Sequence, residues 1–305
     1  MKRKVIKQGH NTLTITLPSK WVKNNCINAG QEINIEEKGT SLYLTPSIIT
    51  QKEKTNLDIS EFDVALEKVI YSIYKKGYDE IELYSSNPKL LNDVQRIILK
   101  LAIGLEIVSH SKNSCIVKSL VEINASEFDP IMRRTFVLLH SMEEGILNSM
   151  INKDIQSLRT FRDMEGMNNR YTGFCRRLLN KYGYADQKNE KLVYCLIEFL
   201  EKIHDEYKFL CDFFIENDKE LEKITKENIQ IFKRVSLLSR AIEKLYYKFE
   251  IKDYLQIYRE RKDILKDINC LYPKQKSPNS ILLHYLITVT QFYIDIANFI
   301  LTMRV

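Results

Sequence analysis

With 305 residues, 44% of them hydrophobic and 28% charged, the chain is long enough for two or three domains and apolar enough to bury real cores, which excludes a disordered or fibrous class. Its formal net charge of +6 is modest but uneven: Lys2, Arg3, Lys4, Lys7, Lys20 and Lys23 precede Asn24 with no Asp or Glu among them, a basic patch that points to a polyanion. The six cysteines, at 26, 115, 175, 195, 211 and 270, form no C-x-x-C pair and read as reduced thiols of a cytoplasmic protein, and the charged N-terminus does not read as a signal peptide.

Residues 2–8 (KRKVIKQ) predict a basic strand, Gly9-His10-Asn11 a tight turn, and residues 12–17 (TLTITL) a second strand with period-two alternation. Residues 18–25 start like a helix, with Pro18 where a missing N–H costs nothing. Residues 33–36 and 41–44, joined by Glu37-Lys38-Gly39-Thr40, complete a hairpin. So little chain cannot close a core alone, so residues 1–46 are expected to share their sheet with a second copy, as a homodimer.

The order of these elements resembles the AbrB/MazE/SpoVT family of swapped-hairpin DNA-binding domains. The resemblance rests on Gly9 followed by Asn11-Thr12-Leu13, on Thr16-Leu17-Pro18-Ser19-Lys20-Trp21-Val22, and on Ala29-Gly30-Gln31-Glu32-Ile33. It implies double-stranded DNA as partner. Arg3, Lys4 and Lys7 flank a turn whose His10, Asn11 and Thr12 can donate to phosphates, and Lys20 and Lys23 offer further backbone contacts. The other reading of these lysines is protection of an edge strand from stray pairing. Trp21, beside Val22, is expected in the core. The family usually has glycine where this chain has Cys26 and an acid where it has Gln31; Asn25 is the expected left-handed residue at the helix exit.

Residues 47–60 are polar and read as a linker. Residues 61–120 predict a small α/β module: a helix over 61–77 ending at Gly77, a strand over 81–84, a helix over 88–101, and a hairpin of 105–108 with 114–118 around Lys112-Asn113. The module shows no catalytic group, and His110 reads as a solvated loop residue.

From residue 127 the pattern is purely helical. Ile131, Thr135, Leu138, Met142 and Ile146 form one stripe, and further helices are predicted over 154–181, 188–215, 221–249, 252–271 and 280–304. They suggest two three-helix units, 127–217 and 218–305. The apolar run 281–303 contains His284, Gln291, Asp295 and Asn298, so a buried C-terminal helix is expected rather than a membrane span.

Leu200-Glu201-Lys202-Ile203-His204-Asp205 resembles the signature of PhoU phosphate-uptake regulators, which are built from two three-helix repeats. The module before it fits the one found between an AbrB-like head and a PhoU-like body in archaeal phosphate-uptake regulators. The resemblance implies a divalent or iron-type metal ion on the body, with Glu201 and Asp205 one turn apart and Glu165 and Asn169 facing them. The same acids also read as a solvated helix face. In the second unit Asp263 and Asp267 keep the spacing, but Ile287 and Gln291 stand where acids would be needed.

The expected architecture is therefore an α+β multidomain chain: a swapped-hairpin β head, a small α/β module, and an all-α PhoU-like body of two three-helix bundles. The expected function is a DNA-binding transcriptional regulator linked to phosphate uptake. An alternative is an adaptor that docks a phosphate transporter or sensor kinase, with the head mainly dimerising. No Gly-rich phosphate loop or nucleophile-and-base set appears, so no enzyme is expected.

Overall fold

Strand β1 (Ile6–Gln8) pairs antiparallel with β2 (Thr12–Thr14), Ile6 opposite Thr14 and Lys7 opposite Leu13, around Gly9 at φ 70°. Residues 2–5 and 15–18 lie in no regular element, so both expected strands are shorter than their sequence pattern. Helix α1 (Ser19–Asn24) begins after extended Pro18. A second antiparallel pair follows, β3 (Ile33–Lys38) with β4 (Ser41–Pro46).

The exit of α1 corrects one expectation. Asn25 has φ −101°, and Cys26 is the left-handed residue at φ 50°. The Ile27 N–H bonds to the Val22 carbonyl at 3.0 Å and the Cys26 N–H to the Lys23 carbonyl at 3.2 Å, the paired bonds of a Schellman ending. These bonds fix the reversal one residue beyond Asn25. Asn25 instead stays on the helix end, its side-chain amide donating to the Trp21 carbonyl at 2.8 Å.

The computed structural model describes residues 2–38, 40–46, 52–121 and 124–305, in two compact units, Met1–Lys54 and Thr55–Val305. Of the expected features, Met1, Gly39 of the second hairpin turn and residues 47–51 of the linker lie outside the described residues.

The rest of the expected linker is corrected. Strand β5 (Lys54–Asp58) joins β6 (Glu80–Tyr84), β8 (Ser114–Ser119) and β7 (Leu105–His110) in a sheet ordered β5-β6-β8-β7. Thr55 and Leu57 are half-buried between exposed Lys54, Asn56 and Asp58, and the Ile59 N–H reaches the Tyr84 carbonyl at 2.8 Å. Helices α2 (Leu66–Lys76) and α3 (Pro88–Leu101) pack with this sheet. Helix α2 starts about a turn later than its pattern suggests, because residues 60–65 are spent in turns, and it ends at Gly77 in the left-handed region (φ 98°). Asn87 caps α3 by accepting from the Lys89 N–H at 3.1 Å, and Pro88 takes the first turn. The α3 stripe Leu90, Leu91, Val94, Ile97, Ile98 and Leu101 is wholly buried. At about 1.5–3 kcal/mol per buried aliphatic side chain, it is a main source of the module's stability.

The body comprises α4 (Phe128–Asn152), α5 (Ile155–Tyr182), α6 (Glu190–Glu216), α7 (Lys226–Tyr247), α8 (Ile251–Leu271) and α9 (Asn279–Arg304). Helices α4, α5 and α6 pack in sequence, as do α7, α8 and α9, and the two groups meet through α4 against α7 and α6 against α9. Helix α9 is long and apolar enough to cross a bilayer, but Leu282, Leu283, Leu286, Val289, Tyr293 and Ile296 are buried against its neighbours. It is the core helix of the body.

The α/β module is clamped to the body by α5. Arg177 donates to the Tyr74 and Tyr78 carbonyls at 3.0 and 2.7 Å, and Asn180 donates to the Lys75 carbonyl at 2.7 Å. These bonds tie α5 to carbonyls at and just past the end of α2, where the helix ladder runs out. Lys181 pairs with Asp79 beside them.

Candidate functional site

The head presents every residue expected to meet DNA. Arg3, Lys4, Lys7, His10, Asn11, Thr12, Lys20 and Lys23 are exposed, and among the described residues the basic ones form no ion pair. The surrounding surface is unusual for so small a unit. Among the described residues, none of the head is buried, and Trp21, expected in a core, is only half-buried. Leu13 is 70% exposed, and Ile35 and Leu42 are each 63% exposed. Residues opposite one another in an antiparallel pair share a face, and Ile35 lies opposite Leu44 with Glu37 opposite Leu42. Ile33, Ile35, Leu42 and Leu44 thus share one face with Glu37; on it Ile35 and Leu42 are exposed and Ile33 and Leu44 half-buried.

The second candidate lies in the Thr55–Val305 unit. Glu165 and Asn169 of α5 and Glu201 and Asp205 of α6 line one cavity of about 150 Å³, together with Glu67, Lys68 and Tyr71 of α2 and Lys208 of α6. The spacing placed the four expected residues together. Their partners decide what the cluster can hold. The Glu201 carboxylate accepts from Arg176, from the Thr172 hydroxyl at 2.6 Å and from the Tyr71 hydroxyl at 3.1 Å. The Lys208 ammonium lies 3.4 Å from Glu165 and 3.2 Å from Asp205. The Asn169 amide donates to Glu165 at 2.6 Å. Burial opposes the charge on Lys208, but Glu165 and Asp205 outweigh it and hold its pKa above the usual lysine value.

A hard divalent cation needs several free carboxylate or carbonyl oxygens converging on it. Here those oxygens already face an ammonium or a guanidinium, so with Lys208 in place these residues do not fit the implied metal ion. Among the described residues, no group of three or more His, Cys, Asp or Glu side chains has the geometry to hold one. The second unit repeats the pattern with arginines. Arg234 reaches Glu260 at 2.8 Å and Asp267 at 2.5 Å, and Arg261 donates to Gln291 at 2.9 Å.

Sequence reasoning missed Tyr71, Arg176 and Lys208. Arg176 is completely buried, held by Glu198, Glu201, Tyr71 and Thr172. Gly173 makes this possible, since a Cβ there would lie 2.5 Å from the Tyr71 ring. Two signals pointed to these residues: Tyr71, Tyr74 and Tyr78 repeat at helical spacing, and Arg176-Arg177 interrupt an apolar stretch of α5.

No family model and no curated protein matches the chain. Among solved structures it is similar to the phosphate transport system regulatory protein PhoU from Streptococcus pneumoniae, with 13% identity over 59% of this chain and 94% of that chain. The TM-score is 0.45, a likeness too slight to carry an argument about fold or function.

Proposed function

We propose that this chain is a homodimeric regulator that binds double-stranded DNA through its N-terminal head and receives a signal through its helical body. The observation that supports this most is the head itself: an apolar hairpin face left open, no buried residue among those described, and exposed basic residues without acidic partners. A second copy would cover the apolar face, and it would double the basic patch. The link to phosphate supply rests on the sequence resemblance around Glu201 to Asp205.

The test is retention of duplex DNA from the region upstream of its own coding sequence, by the full chain, at several salt concentrations. With four to six phosphates contacted per subunit, log affinity falls with log salt at a slope of roughly −7 to −11 for the dimer. The triple variant Arg3→Ala, Lys4→Ala, Lys7→Ala loses retention and flattens the slope while remaining dimeric by light scattering. A wild-type protein that ignores duplex in dilute buffer overturns the reading in favour of an adaptor whose head only dimerises, and a variant that retains DNA like the wild type overturns the role given to Arg3, Lys4 and Lys7.

A further inference from the structure

Glu143 of α4 lies at the seam between the two helical groups and is 1% exposed. Three helices close on it. Tyr207 of α6 and Tyr293 of α9 donate to its Oε1 at 2.8 and 2.5 Å, and Ser239 of α7 contacts its Oε2. The Ser239 hydroxyl also donates to the Ser236 carbonyl at 2.7 Å.

What sets Glu143 apart is a carboxyl buried with no cation beside it, and the proton count is compatible with the neutral acid. A serine hydroxyl has one hydrogen, and here two acceptors compete for it. Both contacts are hydrogen bonds when Glu143 carries the proton: its Oε2–H donates to Ser239 Oγ, which passes its own hydrogen to Ser236. An ionised Glu143 would have to share the single Ser239 hydrogen with the Ser236 carbonyl, at a side chain only 1% exposed.

The charged groups nearby do not supply a counter-ion. Arg240 of α7 faces the carboxyl only from the surface, where it reaches Glu144 at 3.3 Å. His140 of α4, whose Nδ1 lies 3.5 Å from Glu243 of α7, has its pKa lowered by burial. Burial pushes His204 of α6 down to about 4, so it too is neutral near pH 7. From α9 the group at the carboxyl is the Tyr293 hydroxyl, and from α5 Phe161 covers Gly145 on the next turn of α4.

We propose that Glu143 is carried as a neutral carboxylic acid in the folded body, and that its ionisation loosens the seam between α4, α6, α7 and α9. The seam is then a proton-responsive element built into the body. Burial raises the Glu143 pKa to about 7, against 4.5 for an ordinary glutamate, with the Ser239, Tyr293 and Tyr207 bonds pulling the other way. A group whose folded pKa is raised favours folding fully below its unfolded pKa, and the benefit is lost as pH rises through the folded value. Stability therefore falls between about pH 4.5 and 7, by roughly 300-fold in the folding equilibrium.

The test uses the full chain and Glu143→Gln, whose amide reproduces the acid's donor to Ser239. Urea unfolding across this pH range should show the wild type losing stability and the variant losing about 300-fold less. Equal slopes in the two proteins overturn the proposal. If Glu143→Gln does not fold, infrared spectra of the wild type decide. A protonated-carboxyl carbonyl band persisting above about pH 5.5, where exposed carboxyls are ionised, supports the proposal, and its absence overturns it.

Discussion

Replacing Arg176 by methionine keeps an unbranched apolar stem, shorter by two atoms, and removes the charge and the N–H donors. In the native protein Arg176 is fully buried, pairs with Glu198 and Glu201, and donates to the Thr172 carbonyl at 3.2 Å and to the Tyr71 hydroxyl at 3.1 Å. Glu198 is 35% exposed at its side chain and can turn to water, so its loss counts for little. Glu201 is only 18% exposed and stays beneath Tyr71 with no guanidinium opposite. Breaking a buried pair in this way costs about 3–5 kcal/mol. At about 2–4 °C per kcal/mol, the unfolding midpoint of the Thr55–Val305 unit should drop by roughly 6–20 °C, read by calorimetry on the full chain. The double variant Arg176→Met, Glu201→Gln should recover about half of the loss or more, because a neutral amide needs no counter-charge. An Arg176→Met protein within about 1 kcal/mol of wild type, or a double variant no better than the single one, refutes the view that Arg176 neutralises the cluster.

Two further outcomes follow from the same geometry. Cys26→Gly should stabilise the head by about 0.5–1 kcal/mol, measured as a raised unfolding midpoint, because Cys26 is held at φ 50° where glycine is unstrained. Manganese or zinc added to the native chain should leave the unfolding midpoint unchanged, whereas in Lys208→Met the freed Glu165 and Asp205 should bind the ion and raise it; metal co-purifying in stoichiometric amount with the native protein would contradict this.

Helix α3 was legible to the residue, since Asn87-Pro88 mark its start and its apolar stripe keeps a strict three-and-four spacing. Gly77 was equally plain as the end of α2. Strand β5 was not, because Lys54, Asn56 and Asp58 give the segment a linker's composition, and its alternation rests on Thr55 and Leu57 alone. At Cys26 a correct local rule lost to register: asparagine tolerates a left-handed conformation better, but the bonds from Ile27 and Cys26 place the reversal one residue later. The spacing that brought Glu165, Asn169, Glu201 and Asp205 to one cavity could not show what neutralises them. Lys208, three residues from Asp205, looks in sequence like any solvated lysine, and Tyr71 and Arg176 reach the cluster only through the packing of α2 on α5. Glu143 sits in Ser-Met-Glu-Glu-Gly, a run that reads as surface. Its place one helical turn after Leu139, one before Leu147 and two before Met150, all buried, was the signal that it points inward.

The two units differ in what completes them. The Thr55–Val305 unit has a buried core of its own and partners its buried Arg176 and Arg177 internally. The head has exposed apolar faces and, among the described residues, nothing buried. One event, the meeting of two heads, would cover the faces around Leu13, Ile35 and Leu42 and bring two sets of Arg3, Lys4 and Lys7 together. On the proposed reading, apolar burial would set whether the head is folded and the doubled charge whether it holds DNA, with salt acting on the second far more than on the first. Dilution acts on both, so loss of DNA on dilution at fixed low salt points to the apolar faces, and loss on adding salt at fixed concentration points to the lysines and arginine.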